Sequence, residues 1–195
     1  TRYDIIKKYK SIVSIAIGTR PDSVDEDTLD LIKTYAKDYE VWLEFGLQSI
    51  HDKTLKFINR GHNYEDFLKA VKMAQRKVNI KICAHVIIGL PHETEADIME
   101  TAKTLGKLKL DAIKIHPLHV IRGTKLAEMY DKGSYTALEF DDYIRLVTGF
   151  LEYMWPRTII QRLSADCPRE FLVAPLWISE KQKVLAKIED LLSQK

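Results

Sequence analysis

The chain has 195 residues, of which 46% are hydrophobic and 30% are charged, a composition typical of one globular domain. Its net charge is only +2, and basic residues are mixed with acidic ones, so the charge pattern neither indicates nor excludes a nucleic-acid partner. No apolar run approaches the roughly 18 residues that a membrane span requires, and no leader opens the chain. We therefore expect a cytoplasmic protein.

Alternating strand and helix patterns run through the sequence. Residues 1–10 resemble a polar amphipathic helix that leads directly into an apolar strand, so we expect a chain that has been trimmed at its N-terminus. Short apolar runs predict strands at residues 12–17, 41–47, 80–88 and 112–115, and more weakly at 158–163. Helical spacing between them predicts parallel pairing, in either an open sheet or a barrel.

Helix starts are marked by hydroxyl side chains that stand three residues before an acidic or amide residue. This spacing is typical of a capping box, and it predicts helix N-caps at Ser23, Thr94, Thr136 and Ser179. The helix after Ser179 carries one apolar stripe, which predicts that it packs on the core.

Polar residues follow four of the predicted strands directly. The segments are residues 18–22 (Gly-Thr-Arg-Pro-Asp), 46–49 (Gly-Leu-Gln-Ser), 89–93 (Gly-Leu-Pro-His-Glu) and 116–119 (His-Pro-Leu-His). Ligands of parallel α/β folds bind where the strands end. We therefore expect one binding face.

Alternation along the strands also predicts a polar interior, since every second side chain shares a face. The predicted inward residues are Trp42, Glu44, Gly46, Gln48, Cys83, His85, Ile87, Gly89, Lys114 and His116. A buried carboxylate needs a partner, and a Glu44–Lys114 pair could be structural or catalytic. His116 and His119 could likewise be loop residues or functional ones. His51 and His62 are predicted to be solvated, Cys83 to be in the core and Cys167 to be in a loop.

Residues 87–94 (Ile-Ile-Gly-Leu-Pro-His-Glu-Thr) resemble the adenine-binding fifth strand of radical S-adenosylmethionine (SAM) enzymes. In the family's order, residues 18–22 resemble the end of its third strand, 46–49 its fourth, and 59–62 (Asn-Arg-Gly-His) the segment that follows. The tail at 162–170 resembles a subfamily of iron-sulfur oxidoreductases. Relatives of known function include oxygen-independent coproporphyrinogen oxidases and Elongator-like, tRNA-modifying enzymes.

This resemblance implies the C-terminal part of a (β/α)6 barrel in residues 1–155, followed by an extension in residues 156–195. Members of the family hold a [4Fe-4S] cluster on C-x-x-x-C-x-x-C and cleave SAM reductively to a 5'-deoxyadenosyl radical. The chain lacks that motif, so we expect no cluster ligands in it and no activity from it alone. An electron donor such as flavodoxin or ferredoxin would serve the full-length enzyme. Without the earlier strands, the exposed edge of the first strand should favour self-association.

The resemblance also implies binding residues for SAM. Gln48 and His85 would approach the ribose hydroxyls, Arg60 would pair with the methionine carboxylate, and Ile87 would lie against the adenine. Relatives often have Asp in place of His85. The remaining candidates, near the methionine amino group or at the strand ends, are Thr19, Arg20, Ser49 and Gly89. No catalytic residue and no metal ligand is assigned.

Two other functions stay open. Glu44, His85, His116 and His119 could be ligands of a divalent metal in a TIM-barrel hydrolase or aldolase. Alternatively, the chain could be a non-catalytic SAM-binding module. The substrate, whether tRNA or a small molecule, cannot be deduced from the sequence.

Overall fold

Five parallel strands form the main sheet, and a computed structural model describes residues 2–194. The main sheet contains β1 (Ser14–Thr19), β2 (Glu40–Gln48), β3 (Ile80–Ile88), β4 (Ala112–Pro117) and β6 (Ile159–Arg162), and two short strands lie outside it, β5 (Val120–Ile121) and β7 (Leu172–Ala174). The α-helices are α1 (Glu26–Tyr35), α2 (Asp52–Phe57), α3 (Tyr64–Gln75), α4 (Glu95–Leu108), α5 (Lys125–Asp131), α6 (Phe140–Leu151) and α7 (Lys181–Ser193). Strands β5 and β7 form a separate antiparallel pair.

The order of the strands decides between the two folds that the sequence left open. A doubly wound sheet reverses its strand order partway, whereas β1, β2, β3, β4 and β6 are neighbours in chain order throughout. The apolar faces of α1, α3, α4, α6 and α7 pack on one side of these strands, in a single core. The structure is therefore an α/β fold with the wall of a partial barrel, as predicted.

The predicted strands are all present, with small shifts at their ends. The first strand begins at Ser14 and ends at Thr19 rather than covering residues 12–17, and β4 extends through Pro117. The N-terminal segment is a 3-10 helix (Arg2–Lys8) rather than an α-helix, and Thr1 lies outside the described residues. Strand β6 pairs with β4, so the sheet extends past residue 155, and the division into barrel and extension stays a prediction.

Of the four predicted capping hydroxyls, only Thr94 is confirmed. Its side chain accepts a hydrogen bond from the Asp97 backbone N–H, and the Asp97 carboxylate accepts one in return. The others are wrong because a residue nearer each helix takes the N-cap position, and these residues are Asp25 for α1, Glu139 for α6 and Glu180 for α7. The pattern search also missed the capping box of Asn63 and Asp66 at α3.

Helix α7 packs on the core as expected, through its buried side chains Val184 and Ile188. At the opposite side of the sheet, β1 pairs only with β2 among residues 2–194. Self-association through this edge stays a prediction. None of the described helices is long and apolar enough to cross a membrane.

Candidate functional site

The interior face of the sheet is built in layers. Near the start of the strands, Trp42, Cys83 and Ala112 form a buried apolar floor. The next layer is polar, because alternation places Glu44, His85 and Lys114 on the same face. The side chains at the strand ends then open onto a cavity.

Glu44 is the centre of the polar layer. Its side chain is 9% exposed, and Lys114 Nζ donates to both carboxylate oxygens, at 2.7 Å to Oε1 and 2.6 Å to Oε2. His85 Nε2 lies 2.8 Å from Oε2. The predicted ion pair between Glu44 and Lys114 is therefore present, and His85 is its third member.

Burial and hydrogen bonding act in opposite directions on the two titratable partners. Burial raises the pKa of Glu44, but the hydrogen bonds from Lys114 and His85 outweigh it and hold that pKa below its ordinary value. Burial lowers the pKa of His85 despite its contact with Glu44. At neutral pH the pair is therefore a carboxylate beside a neutral imidazole.

Two further histidines continue this polar layer toward the cavity. The ring centroid of His116 lies 5.5 Å from that of His85. The Nε2 atoms of His116 and His119 are buried and make no hydrogen bond with residues 2–194. Burial, together with nearby His85 and Arg162, lowers the pKa of His116 to about 4. Unpartnered buried nitrogens of this kind are typical of a surface that receives a polar ligand.

A polar cavity of about 430 Å³ lies at the ends of β2, β3 and β4. It is lined by Gln48, His85, Ile87, His116, Pro117, Leu118, His119, Ala165 and Asp166. Gln48 is aimed by a bulge, because its backbone φ is 75° and the pairing of β2 with β3 shifts between Gly46 and Gln48. Three residues predicted to bind SAM, Gln48, His85 and Ile87, thus share one cavity.

An apolar cavity of about 310 Å³ lies beside the polar one. The two cavities share Ile87 and Leu118. Phe57, Asn59 and Leu90 also line the apolar cavity. A flat ring that rests on Ile87 could therefore extend from one cavity toward the other.

Arg60 lies on the interior face because Gly46 has no side chain. A Cβ added at Gly46 would be 2.2 Å from Arg60 Nη2 and 2.8 Å from Gln48 Nε2. The Gly46 carbonyl accepts from Arg60 Nε at 3.2 Å and Nη2 at 2.8 Å, and lies 3.0 Å from His62 Nε2. Burial lowers the pKa of Arg60, and nearby Arg20 adds to this effect. The guanidinium therefore lies beside Gln48, although Arg60 does not line the polar cavity.

The other candidate residues are placed less directly. Thr19 pairs in register with Phe45, whose side chain is in the helix-facing core, so Thr19 is on the opposite face from Gly18 and Glu44. Arg20 forms an ion pair with Asp22 and lies against Gly61. These contacts place Arg20, but not Thr19, near the Arg60 segment.

Ser49 and Gly89 have structural contacts. The buried Ser49 hydroxyl donates to the Glu93 carboxylate and joins the end of β2 to the loop after β3. Gly89 has a φ of 96°, which favours glycine, and its carbonyl accepts a hydrogen bond from Tyr135 Oη at 2.8 Å. Neither residue lines the polar cavity.

The expectation that His51 and His62 are solvated is wrong. His62 is 8% exposed because the Gly46 carbonyl holds its ring in the loop. His51 Nε2 lies 2.9 Å from the Asp97 carbonyl oxygen at the start of α4. Cys83 is fully buried as predicted, and burial raises its thiol pKa to about 12.

Sequence reasoning missed several cavity residues. Leu118, Ala165 and Asp166 line the polar cavity from loops, where strand alternation does not apply. Ala165 and Asp166 lie in the tail at 162–170, which was singled out only by the resemblance and not as part of a site. The position of Arg60 could have been predicted, because a glycine at an inward strand position leaves room for a side chain from another segment of the chain.

The described residues do not fit an iron-sulfur cluster. Its ligands are several thiolates, whereas the chain has one buried cysteine and one loop cysteine. In residues 2–194 no group of three or more His, Cys, Asp or Glu side chains is arranged to hold a metal ion. The divalent-metal alternative also fits poorly. Both oxygens of Glu44 accept hydrogen bonds from the Lys114 ammonium, which takes the place that a metal ion would need.

Two family models together match almost the whole chain. The radical SAM superfamily model matches residues 2–105, and the radical SAM C-terminal domain model matches residues 110–194. The chain belongs to the radical SAM superfamily. SAM and a [4Fe-4S] cluster are the cofactors that this family implies.

The chain is similar to several curated proteins. It is 43% identical over 195 residues to an uncharacterized protein of Methanocaldococcus jannaschii, covering 99% of this chain and 60% of that protein. It is 36% identical over 185 residues to protein YhcC of Escherichia coli, with 94% and 60% covered. The chain thus spans about 60% of the length of these relatives.

Solved structures support the fold. The Elp3 protein of Methanocaldococcus infernus, with an N-terminal deletion, has a TM-score of 0.76 and 26% identity, covering 92% of this chain and 42% of that one. Methylornithine synthase has a TM-score of 0.57 at 15% identity, covering 75% of this chain and 40% of that one, and shows the fold alone.

Proposed function

We propose that this chain supplies the SAM-binding wall of a radical SAM enzyme that, at full length, cleaves SAM reductively. The observation that carries the proposal is the shared polar cavity of Gln48, His85 and Ile87 at the strand ends, in a chain that belongs to this superfamily. With one electron from a reduced cluster, bound SAM would break a C–S bond into methionine and a 5'-deoxyadenosyl radical, which would take a hydrogen atom from the substrate.

Each residue of the wall has a distinct task in this proposal. Gln48 and His85 hold the ribose hydroxyls, since their side chains offer hydrogen-bonding atoms to the cavity. Ile87 and Leu118, which line both cavities, pack against the adenine ring. Arg60, beside Gln48, pairs with the methionine carboxylate.

The cluster ligands are proposed to lie outside this chain. The two cysteines of the chain cannot hold a cluster, and Cys83 is a buried thiol with a raised pKa. An electron donor such as flavodoxin or ferredoxin would reduce the cluster of the full-length enzyme. The chain reconstituted anaerobically with iron and sulfide should show no cluster absorbance, and stoichiometric cluster formation would contradict this part of the proposal.

Modification of tRNA is one substrate class that the relatives favour. A tRNA uridine(34) acetyltransferase of Methanocaldococcus jannaschii is 31% identical to this chain over 171 residues, which cover 83% of this chain and 30% of that protein. We propose the same substrate class for the full-length form of the present chain, whose net charge of +2 neither indicates nor excludes a nucleic-acid partner.

Binding of SAM to the purified chain tests the proposal. We expect saturable binding in calorimetric titration, weakened about fivefold or more by Gln48→Ala through loss of a hydrogen bond. Gln75→Ala is the matched control, because Gln75 is exposed at the end of α3, and this helix leads into the start of β3, at the opposite end of the strand from the cavity. Equal SAM affinity in wild type and Gln48→Ala would contradict the assigned role of Gln48, and no binding to wild type would contradict the proposal itself.

A further inference from the structure

His85 is the member of the polar cavity whose hydrogen-bonding character depends on its neighbours. A neutral imidazole carries one proton, so one ring nitrogen donates and the other accepts. Which nitrogen does so is set by the partner of the other nitrogen. The residues around His85 therefore decide what kind of ligand atom it can bind.

The neighbour of Nε2 is a carboxylate that can only accept. His85 Nε2 lies 2.8 Å from Glu44 Oε2, while Lys114 Nζ lies within 2.7 Å of both oxygens. The ammonium stabilises the ionised form of Glu44. An ionised carboxylate has no proton to give, so the hydrogen atom of this contact belongs to His85 Nε2.

The other ring nitrogen is then an acceptor that is open to a ligand. No hydrogen bond from residues 2–194 reaches His85 Nδ1, and the side chain, 25% exposed, lines the polar cavity. The charged groups nearest to the ring are Glu44, Lys114 and Arg162, with His116 at its face. Burial lowers the pKa of His85, which keeps Nδ1 free of a second proton at neutral pH.

We propose that Glu44, which is held by Lys114, is a positioning residue that fixes the proton of His85 on Nε2, so that Nδ1 accepts a hydrogen bond from a ligand hydroxyl. The identity of that hydroxyl rests on the proposed function, in which it belongs to the ribose of SAM. In this arrangement the imidazole offers the cavity an acceptor without a donor, as a carboxylate would.

Glu44→Gln is the variant that changes the proton position without removing the side chain. Lys114 continues to donate to the amide oxygen of Gln, which leaves the amide NH₂ group facing His85. An NH₂ group donates, so the proton of His85 should move to Nδ1. Lys114→Met is the complementary variant, because Glu44 remains an acceptor and the proton should stay on Nε2.

The proton position can be measured directly in the chain labelled with ¹⁵N-histidine. Protonated and unprotonated ring nitrogens have well-separated ¹⁵N shifts in long-range ¹H–¹⁵N spectra, and the His85 signals are assigned by their loss in His85→Gln. We expect a protonated Nε2 in wild type and Lys114→Met, and a protonated Nδ1 in Glu44→Gln. Glu40→Gln is the matched control, since Glu40 is on the same strand and pairs with exposed Lys81, and its spectrum should match wild type.

Ligand affinity provides the second readout. Glu44→Gln should weaken SAM binding about fivefold to tenfold. The 2'-deoxy and 3'-deoxy analogues of SAM identify the contacted hydroxyl. Binding of the analogue that lacks this hydroxyl should be the same in Glu44→Gln and in wild type. Adding His85→Asp to Glu44→Gln should restore SAM affinity, because a carboxylate at position 85 accepts without help from Glu44.

The outcomes separate this inference from the proposed function. A wild-type spectrum with the proton on Nδ1, or a Glu44→Gln spectrum identical to wild type, would overturn the inference even if SAM binds. Equal weakening for SAM and for both deoxy analogues would overturn the hydroxyl contact. If wild type binds no SAM, the proposed function fails, while the spectra still decide the proton position.

Discussion

The two faces of the same strands differ in polarity. On the helix-facing side, Leu43 and Phe45 are fully buried in one apolar core. On the interior side, their chain neighbour Glu44 is held by Lys114 and His85. The apolar face stabilises the fold, whereas the polar face bears desolvated charges that add little net stability and instead shape a cavity. This contrast teaches that stability and ligand binding can be changed separately in one strand.

The largest expected effect is on the helix-facing side. Phe45→Ala should lower the free energy of unfolding by about 3–5 kcal/mol, because it leaves a cavity under α3, where Phe45 packs edge-on against Phe67. Urea unfolding measures this. The control is Phe171→Ala, at a side chain that is 50% exposed, where we expect a change within about 0.5 kcal/mol. Similar losses in both variants would break the contrast between core and surface.

On the interior side, the most disruptive small change is Gly46→Ala. The new methyl group would displace Arg60 and crowd Gln48, at a cost of about 1–3 kcal/mol in unfolding free energy, and it should also weaken SAM binding. Gly18→Ala is the matched control, since nothing lies within 4 Å of its added Cβ and Gly18 pairs with Glu44 on the neighbouring strand. Equal stability and SAM affinity in the two variants would contradict the position of the Arg60 side chain against Gly46.

The half-buried histidines of the interior predict a stability that depends on pH. Burial lowers the pKa of His116 to about 4, whereas an unfolded histidine titrates near pH ~6.5. Between these values the unfolded chain takes up a proton and the folded chain does not, so stability is complete above pH ~6.5 and falls as the pH drops toward ~4.

We expect this loss to be on the order of 2 kcal/mol for His116, and His85 and His119, whose pKa values are also lowered, should add to it. Urea unfolding at pH 8, 6 and 5 measures the slope, and His116→Asn should make it shallower. An unchanged slope in His116→Asn would show that this imidazole is not buried as described.

The last prediction concerns the apolar floor of the interior and does not alter the fold, because it compares the reactivity of two cysteines. Cys83 is fully buried and burial raises its pKa to about 12, so its thiol should resist alkylation in the native state. Cys167 in its loop should react at least ~100-fold faster at pH 8. Mass spectrometry of native and urea-unfolded samples distinguishes the two sites. Comparable native rates would show that the floor is open.

Much of the fold could be predicted because local patterns carry it. Period-two alternation identified β2 and β3 and both of their faces, and the interior set of Glu44, His85 and Lys114 followed from it. Periodicity alone could not choose a barrel wall over an open sheet, because strand order is a long-range property, and the family resemblance supplied that choice.

The sequence predicted more of the cavity lining that comes from strands than of the lining that comes from loops. Ile87 follows strand alternation, Gln48 reaches the cavity through the bulge after Gly46, and Leu118 and Asp166 reach it from loops that have no period. Most helix caps failed because a serine or threonine three residues before an acidic residue or glutamine is a common pattern, and a nearer Asp or Glu took the position, as Asp25 did. The buried ring of His62 is held by its contact with the Gly46 backbone carbonyl, and no residue pattern predicts such a contact.

The central claim is that the interior face, and not the helix-facing one, binds SAM. Backbone ¹H–¹⁵N NMR shifts of the chain titrated with SAM test this most directly. We expect perturbations centred on Gln48, His85, Ile87 and Leu118, with the amides of α3 and α4 little affected. Perturbations centred on the helices, or an unchanged spectrum at saturating SAM, would contradict it.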